Sequence, residues 1–466
     1  MKRFLLITIM LILIILLLYK QWSDYAARLD NSEQEIKAIQ HMTVQLDDKT
    51  LHIEQEFKGL SNLMWSFQVP DQILNLQCYD DSENPCQIDD THTISEKDKV
   101  SFHYSVPFTK DSFIFNSWII IPDLEIDETV LEVIEPLPLE GMWTAAATLI
   151  GQSSLETVFY AQYKNNGGAF PILKTPEPLF ITSIDNIQIF GSGSDPSYEE
   201  IKEKKLDQKL PQFGNWKVVL TDLIVPSSAE RLIVLPTTSS NQKIIEELVQ
   251  AYVYGHFILP DMNNKDVLAS LVGSILMDEA ILKSERGYQE VRSHLTNEQL
   301  VQLQTQISNS SSIPITTEWL EEQFFSITGL KTTFITDYVN THQGELLLLD
   351  PRPVISKELT PAHEILSVIQ NGHRFYPLKE TLELLGYTLE FQDSPNRLNI
   401  FKKNHSFQFW LEEPIYLFND EKYSLQQVPI NVWNGAYYME EGWLRRLFNI
   451  SVQTDSEQII IGDIKP

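Results

Sequence analysis

Phe375-Tyr376-Pro377-Leu378-Lys379 opens a helix that closes on Leu384-Leu385-Gly386. The same order returns at Tyr438-Met439-Glu440-Glu441-Gly442, closing on Leu447-Phe448-Asn449. This internal repeat decides the reading of residues 345–466. Gly386 and Asn449 take equivalent places after the two helices, and these are the residue types that enter the left-handed backbone region most cheaply. Each helix then runs into a strand, a turn and a strand: 387–391, 393–396 and 397–401 in the first copy, 450–452, 455–457 and 458–461 in the second. Between the copies, 407–411, 415–418 and 422–425 alternate as short strands, with Asn419-Asp420 at a hairpin turn. The expectation is an α+β repeat domain.

The Phe-Tyr-Pro-Leu-Lys opening, the helix ending in Leu-Gly, the Asp-containing turn and the run Pro429-Ile430-Asn431-Val432-Trp433-Asn434-Gly435-Ala436-Tyr437-Tyr438-Met439 resemble the copper amine oxidase N-terminal-like domain. This module, also called the stalk domain, belongs to bacterial envelope proteins. The resemblance implies attachment or binding, with no copper, no oxidase chemistry and no cofactor. The second copy departs from the pattern, with Glu440-Glu441 where the first has Pro377-Leu378. Six aromatic residues here, Trp410, Tyr416, Trp433, Tyr437, Tyr438 and Trp443, form a candidate ligand platform, since flat rings stack on sugars and fill interfaces. Half of them are expected in the core.

Working outward, residues 141–340 read as a mixed α/β to helical domain. A small-residue, helix-like piece surrounds 143–150, and strands are expected at 157–163 and 216–224. From Ser239 helical periodicity dominates, with Ile244, Leu248 and Ala251 and then Val267, Leu268, Leu271 and Ile275 in register and Ser239-Ser240 as the N-cap. Glu246-Glu247-Leu248-Val249-Gln250, followed by Asp266-Val267-Leu268-Ala269-Ser270, is similar to the helix pair of gluzincin zinc peptidases, with both histidine ligands replaced. The likeness implies a general-base position at Glu247 and a third-ligand position at Asp266, in a peptidase-like fold that has lost its HExxH zinc motif. Two ordinary amphipathic helices are the alternative reading. Ser240 and Lys243 satisfy S-x-x-K, but a serine at a helix start is read as a cap, and no K-T-G follows. The 10 histidines are scattered, and the sequence holds no phosphate-cradling loop, so neither a metal ligand nor a catalytic residue is assigned.

Residues 42–140 alternate apolar and polar as a β-sandwich-like domain. Cys78 and Cys86 are expected to close a hairpin-tip loop as a disulfide, which suits an oxidising compartment. The acids around them, including Asp80, Asp81 and Glu83, are read as a solvated loop rather than a calcium site, because alternating ligands and a turn glycine are missing. Residues 21–41 are expected to be a juxtamembrane helix or stalk. Residues 4–19 are almost wholly apolar, flanked by Lys2, Arg3 and Lys20, and read as an uncleaved transmembrane anchor within 1–20, with a cleaved signal peptide as the alternative. The positive flank puts the N-terminus in the cytoplasm and the bulk of the chain outside the cell.

The whole chain has 466 residues, 43% apolar, enough for several cored domains, and its 18 Gly and 23 Pro exclude collagen-like and low-complexity classes. Sixty-four acidic against 35 basic residues give a net charge of -29, which repels phosphate backbones and excludes a nucleic-acid role. The fold class expected is therefore α+β multidomain: N-terminal transmembrane helix, β-rich domain, mixed helical domain and C-terminal α+β repeat. The function expected is a membrane-anchored binding or scaffolding protein of the bacterial envelope, non-catalytic, whose partners are the membrane and cell-wall polymer or an envelope protein. The alternative is an extracytoplasmic hydrolase related to gluzincins.

Overall fold

A computed structural model of the chain describes residues 37–464, except 48, 61–64, 87–92, 95–97, 109–111, 123, 137–140, 192–197, 211, 230, 357–363, 394–395 and 404. The described residues form two compact units. One runs to Ser197 and resumes over Gly214–Ser239; the other comprises Tyr198–Phe213 and everything from Ser240.

The first unit is built on strict alternation. Strand Lys37–Asp47 buries Ala38, Gln40, Met42, Val44 and Leu46 and turns the residues between them outward, the period of a half-buried strand. It pairs antiparallel with Thr50–Lys58 and parallel with Glu125–Pro136, at the centre of a seven-stranded sheet. Val158–Asn165 and Thr148–Leu155 continue that sheet on one side, Lys99–Pro107 and Leu74–Asp80 on the other. A three-stranded sheet, Phe113–Phe115, Ile172–Thr175 and Met142–Ala145, shares its core through Phe115, Trp143, Ile172 and Leu173. Buried Gln55 is hydrogen-bonded at both ends of its amide: its nitrogen donates to the Ile119 carbonyl (2.7 Å), and its oxygen accepts from Ile119 N (3.1 Å) and the Tyr104 hydroxyl (2.8 Å). A mixed five-stranded sheet follows, ordered Phe180–Ile184, Ile187–Gly191, Trp216–Leu220, Leu232–Leu235 and Ser227–Ala229, with the three inner strands parallel. Trp216–Leu220 and Leu232–Leu235 are buried along their whole length, as parallel strands covered on both faces must be.

The second unit opens with helices. Asn241–His256 is capped by Ser240, whose hydroxyl accepts from Lys243 N (3.2 Å), and Lys265–Met277 packs against it. Glu285–Ser293, Asn297–Ser308, Thr317–Thr328 and Phe334–Thr341 follow, and the short helices Glu199–Lys204 and Leu206–Lys209 belong to the same unit. Among the described residues of 345–464 there are twelve strands and two helices, Leu378–Leu384 and Glu441–Phe448. The entry strands of the repeat, His373–Pro377 and Ala436–Glu440, lie side by side, with Tyr376 opposite Met439. Gly386 and Asn449 both adopt left-handed backbone, at φ of 80° and 55°, as their places in the repeat require. The exit strands diverge. Thr388–Asp393 enters a five-stranded sheet, whereas Ile450–Thr454 ends a seven-stranded one. Phe448 packs its ring against Phe407 (4.7 Å), Tyr387 (5.4 Å) and Phe409 (6.2 Å), fastening the second helix to the five-stranded sheet.

The expected α+β class with a transmembrane helix is corrected here. Among the described residues β structure predominates, 43% strand against 25% helix. Residues around 143–150, expected as helical, form strands Met142–Ala145 and Thr148–Leu155. Small residues such as Ala145 and Ala146 carry little strand preference alone; partner strands decide their conformation. Residues 37–41, expected in a juxtamembrane helix, begin the first strand. No helix among the described residues is long and apolar enough to cross a membrane, and the apolar run 4–19 lies outside the described residues, as does most of the 21–41 spacer.

The close crossing of the first two long helices rests on one glycine. A Cβ on Gly273 would meet Val249 Cγ1 at 2.2 Å, and Val249 is fully buried and β-branched, so it has no free rotamer to yield into. Overpacking of this kind costs about 1–3 kcal/mol, against a helix-propensity gain of about 1 kcal/mol. Gly273→Ala is therefore expected to lower the urea midpoint of unfolding, and Val249→Ala in the same chain to restore part of it.

Candidate functional site

The two long helices of the second unit bring Glu246, Glu247, Gln250 and Tyr254 to one cluster with Asp266 and Ser270. The Glu246 side chain is 4% exposed. A carboxylate so buried needs cations and donors, and it has both: Lys283 Nζ lies 3.4 Å from Oε1, Lys243 Nζ 3.8 Å from Oε2, and Gln250 Nε2 donates at 3.2 Å. The same Gln250 nitrogen donates to Ser270 Oγ (2.7 Å), tying the helices together. Glu247 pairs with Lys243 at 2.7 Å, one helical turn back. Asp266 accepts from the Tyr254 hydroxyl (2.5 Å) and from Lys283 (3.2 Å).

Lys283 is thus the hub, an ammonium standing between Glu246 and Asp266. It sits in a short 3-10 turn, Leu282–Ser284, that three hydrogen bonds hold in place. Ser274 Oγ accepts from Ile281 N (3.1 Å) and meets Ser284 Oγ (2.8 Å), while the Tyr338 hydroxyl donates to the Lys283 carbonyl (3.3 Å). The Tyr254 hydrogen bond, with Lys283 and Lys243 beyond it, holds the Asp266 carboxyl below its ordinary 3.8 against partial burial. Burial and the Asp266 carboxylate together push the Tyr254 hydroxyl well above its ordinary range. Burial works against the Lys243 ammonium, yet Glu247 and Glu246 raise it overall.

Glu247 and Asp266, singled out from the sequence, are therefore neighbours in one ionic network. Lys283 and Tyr254 were not legible there, because no motif spacing links a lysine in a turn to a carboxylate one helix away. Among the described residues no group of three or more His, Cys, Asp or Glu side chains converges as a metal site. His256 stacks on Tyr252 (4.1 Å between ring centres), with Nδ1 2.9 Å from the Tyr252 carbonyl. Ser240 is occupied as a cap. Cys78 and Cys86 form the expected disulfide, 5.2 Å between Cα atoms. Asp80 in its loop spends an oxygen on Ser82 N (3.0 Å) and Asn84 N (2.9 Å), which makes it a turn former.

The six aromatic candidates divide among separate places. Trp433 lies 5.2 Å from Tyr438 and 4.8 Å from Phe375, all on the sheet face opposite buried Tyr376, Met439 and Ile430. Tyr437, adjacent to Tyr438 and so on the other face, stacks on Phe391 at 4.6 Å. Tyr416 sits between Phe409 and Tyr423 in a cross-strand row. Trp410 takes the Arg397 guanidinium 4.5 Å over its ring, and Trp443 takes that of Arg446 at 5.5 Å. No single platform of six forms; the half-buried trio Phe375, Trp433 and Tyr438 is the largest cluster that includes two of them.

Against known proteins, a family model described as the copper amine oxidase N-terminal domain matches residues 355–461, the region likened to it from sequence. No curated protein matches the chain. Among solved structures, the chain is similar to an M1 zinc metallopeptidase mutant from Deinococcus radiodurans bound to a Tyr-Ser-Ala substrate, at 9% identity and a TM-score of 0.45, covering 63% of this chain and 91% of that one. It is also similar to the M1 zinc metallopeptidase from the same organism (9% identity, TM-score 0.43, 63% and 90% covered) and to a two-domain M1 zinc metallopeptidase mutant bound to L-tryptophan (8%, 0.45, 66% and 95%).

Two outcomes are expected. Lys283→Met leaves Glu246 buried with Lys243 and Gln250 alone, a loss of roughly 2 kcal/mol after allowance for the exposure of Lys283, read from urea unfolding. Adding Glu246→Gln is expected to cost less than the sum of the single changes, which a double-mutant cycle measures. For Asp266 the sign follows from its lowered pKa: the stability it contributes is present above about pH 4 and fades as pH falls through the folded value. The stability gap between the parent and Tyr254→Phe is accordingly expected to be full at neutral pH and to shrink under acid.

Proposed function

We propose that this chain is an extracytoplasmic binding or scaffolding protein of the bacterial cell envelope, in which the Glu246–Asp266 cluster is a structural ionic network and the C-terminal domain meets the partner. The observation that carries this reading is that both carboxylates peptidase-like chemistry would require are committed to lysines: Glu247 pairs with Lys243 at 2.7 Å, and Asp266 pairs at 3.2 Å with Lys283, which also faces buried Glu246 at 3.4 Å. A general base must be free to take a proton, and a metal ligand must be free to give a lone pair; carboxylates committed to lysines and a tyrosine do neither. The family match at 355–461 supports the binding role of the C-terminal domain. The Cys78–Cys86 disulfide supports an oxidising location outside the cytoplasm, where the apolar run 4–19 would keep the chain at the membrane. The partner we favour is a cell-wall polymer, whose sugar faces suit the half-exposed rings of Phe375, Trp433 and Tyr438. An envelope protein is the other candidate partner.

The test is retention of the full chain on purified cell wall and on envelope extract, beside the Trp433→Ala/Tyr438→Ala variant and a peptidase panel. Binding that falls roughly tenfold or more in the variant, with its circular dichroism unchanged, is the expected result. Equal retention of parent and variant would overturn the ring-face assignment. Peptide turnover that disappears in Glu247→Ala would replace the binding reading with a hydrolase.

A further inference from the structure

The first unit holds a cavity of about 520 Å3, and a lysine lines it. Its walls come from strands Met142–Ala145, Thr148–Leu155, Val158–Asn165, Phe180–Ile184, Ile187–Gly191 and Trp216–Leu220, so backbone ladders fix its shape. Trp143, Tyr163 and Phe190 give it aromatic surface, and Ser183, Asn186 and Gln188 give it uncharged polar groups. Lys217 is 8% exposed. Its Nζ donates to the Ala147 carbonyl (2.7 Å) and stands 5.6 Å over the Tyr163 ring. Neither partner carries a full negative charge, and among the described residues the ammonium makes no ion pair with a carboxylate. Asp185 lines the same cavity but lies in the turn after strand Phe180–Ile184 and does not pair with it.

An ammonium has three donors, and one of these is satisfied by Ala147. Burying a cation without an anion is costly, and proteins otherwise pair such groups, as this unit itself shows: Lys174, 4% exposed, is joined to equally buried Glu135, which also accepts from Trp143 Nε1 (2.8 Å). Lys217 has no such counterpart, and burial lowers its pKa to about 8, so it remains largely an ammonium at neutral pH. A concave site of this size, with aromatic walls, a few neutral polar groups and one unpaired buried charge, has the composition of a small-molecule site.

We infer that this cavity binds a small organic anion, its carboxylate or phosphate meeting the free donors of Lys217 and its apolar body lying against Trp143 and Phe190. The ligand supplies the counter-charge that the fold omits. Nothing in this inference depends on the binding role proposed for the C-terminal domain.

The experiment uses the full chain with three probes of similar shape: 3-phenylpropionate, phenyl phosphate and neutral 3-phenylpropanol, followed by calorimetric titration and thermal unfolding. At least one anion is expected to bind tenfold or more tightly than the alcohol and to raise Tm; which anion does so separates the carboxylate from the phosphate source. Lys217→Met is expected to abolish that preference and, in the absence of any probe, to raise Tm, because an unpaired buried cation has been removed. Gln152→Trp, a change at an exposed wall residue that leaves Lys217 in place, is expected to weaken anion binding by obstruction with the fold intact. Equal binding of anions and alcohol, anion binding unaltered by Lys217→Met, or a lower Tm for ligand-free Lys217→Met would each overturn the inference.

Discussion

A carboxylate buried to 4% exposure must be given a cation, and in this protein that demand at Glu246 organises everything around it. The cation has to arrive from outside the helix that carries Glu246, because Lys243 alone stays at 3.8 Å. Lys283 supplies it, and to do so the chain must turn sharply after Lys265–Met277, with Ser274, Ser284 and Tyr338 holding that turn. The helices must also cross closely enough for Gln250 to reach Ser270, and Gly273 against Val249 sets that approach. One electrostatic requirement therefore fixes a crossing, a turn and the state of a site.

The same accounting recurs in the C-terminal domain. Asp350, 3% exposed, accepts from Arg352 Nε (2.9 Å) and Nη2 (2.7 Å) and pairs with Arg374 Nη1 (2.7 Å), which also donates to Ser367 Oγ (2.7 Å). Burial opposes its ionisation, but the two guanidiniums hold the carboxyl far below the ordinary range. Arg374 and Tyr376 then meet Glu441 at the start of the second repeat helix, at 4.0 Å and 3.1 Å. The two copies of the repeat are thus joined by charge as well as by the Phe448 ring. Where buried Glu135, Glu246 and Asp350 find partners of opposite sign, Lys217 stands over a ring and a carbonyl.

The aromatic residues show how far composition can mislead. An aromatic-rich domain suggests one broad platform, but strand alternation sends neighbours Tyr437 and Tyr438 to opposite faces, and two tryptophans are taken by arginines. What remains is a small cluster of half-buried rings beside the Asn434-Gly435 turn, whose left-handed pair of residues matches a tight hairpin. Asn434 further clasps Glu345, accepting from its backbone N (2.8 Å) and donating to its carbonyl (3.0 Å), so the turn that carries Trp433 is anchored to the domain's first residues.

By itself the sequence determined the features that local chemistry enforces. The repeat with its Gly386 and Asn449 caps, the Ser240 cap, the alternation of the first strands, the Asn419-Asp420 turn and the Cys78–Cys86 bridge all follow from backbone sterics and short-range spacing. It also placed Glu247 and Asp266 on facing helices. Only the tertiary structure decided that residues 142–155 are strands and that Lys283 closes the ionic cluster. Only it left Lys217 buried beside a cavity with no anion paired to its ammonium among the described residues. The physical reason is shared: strand choice in small-residue segments, and the pairing of a buried charge, are set by neighbours remote in sequence, about which spacing along the chain carries no information.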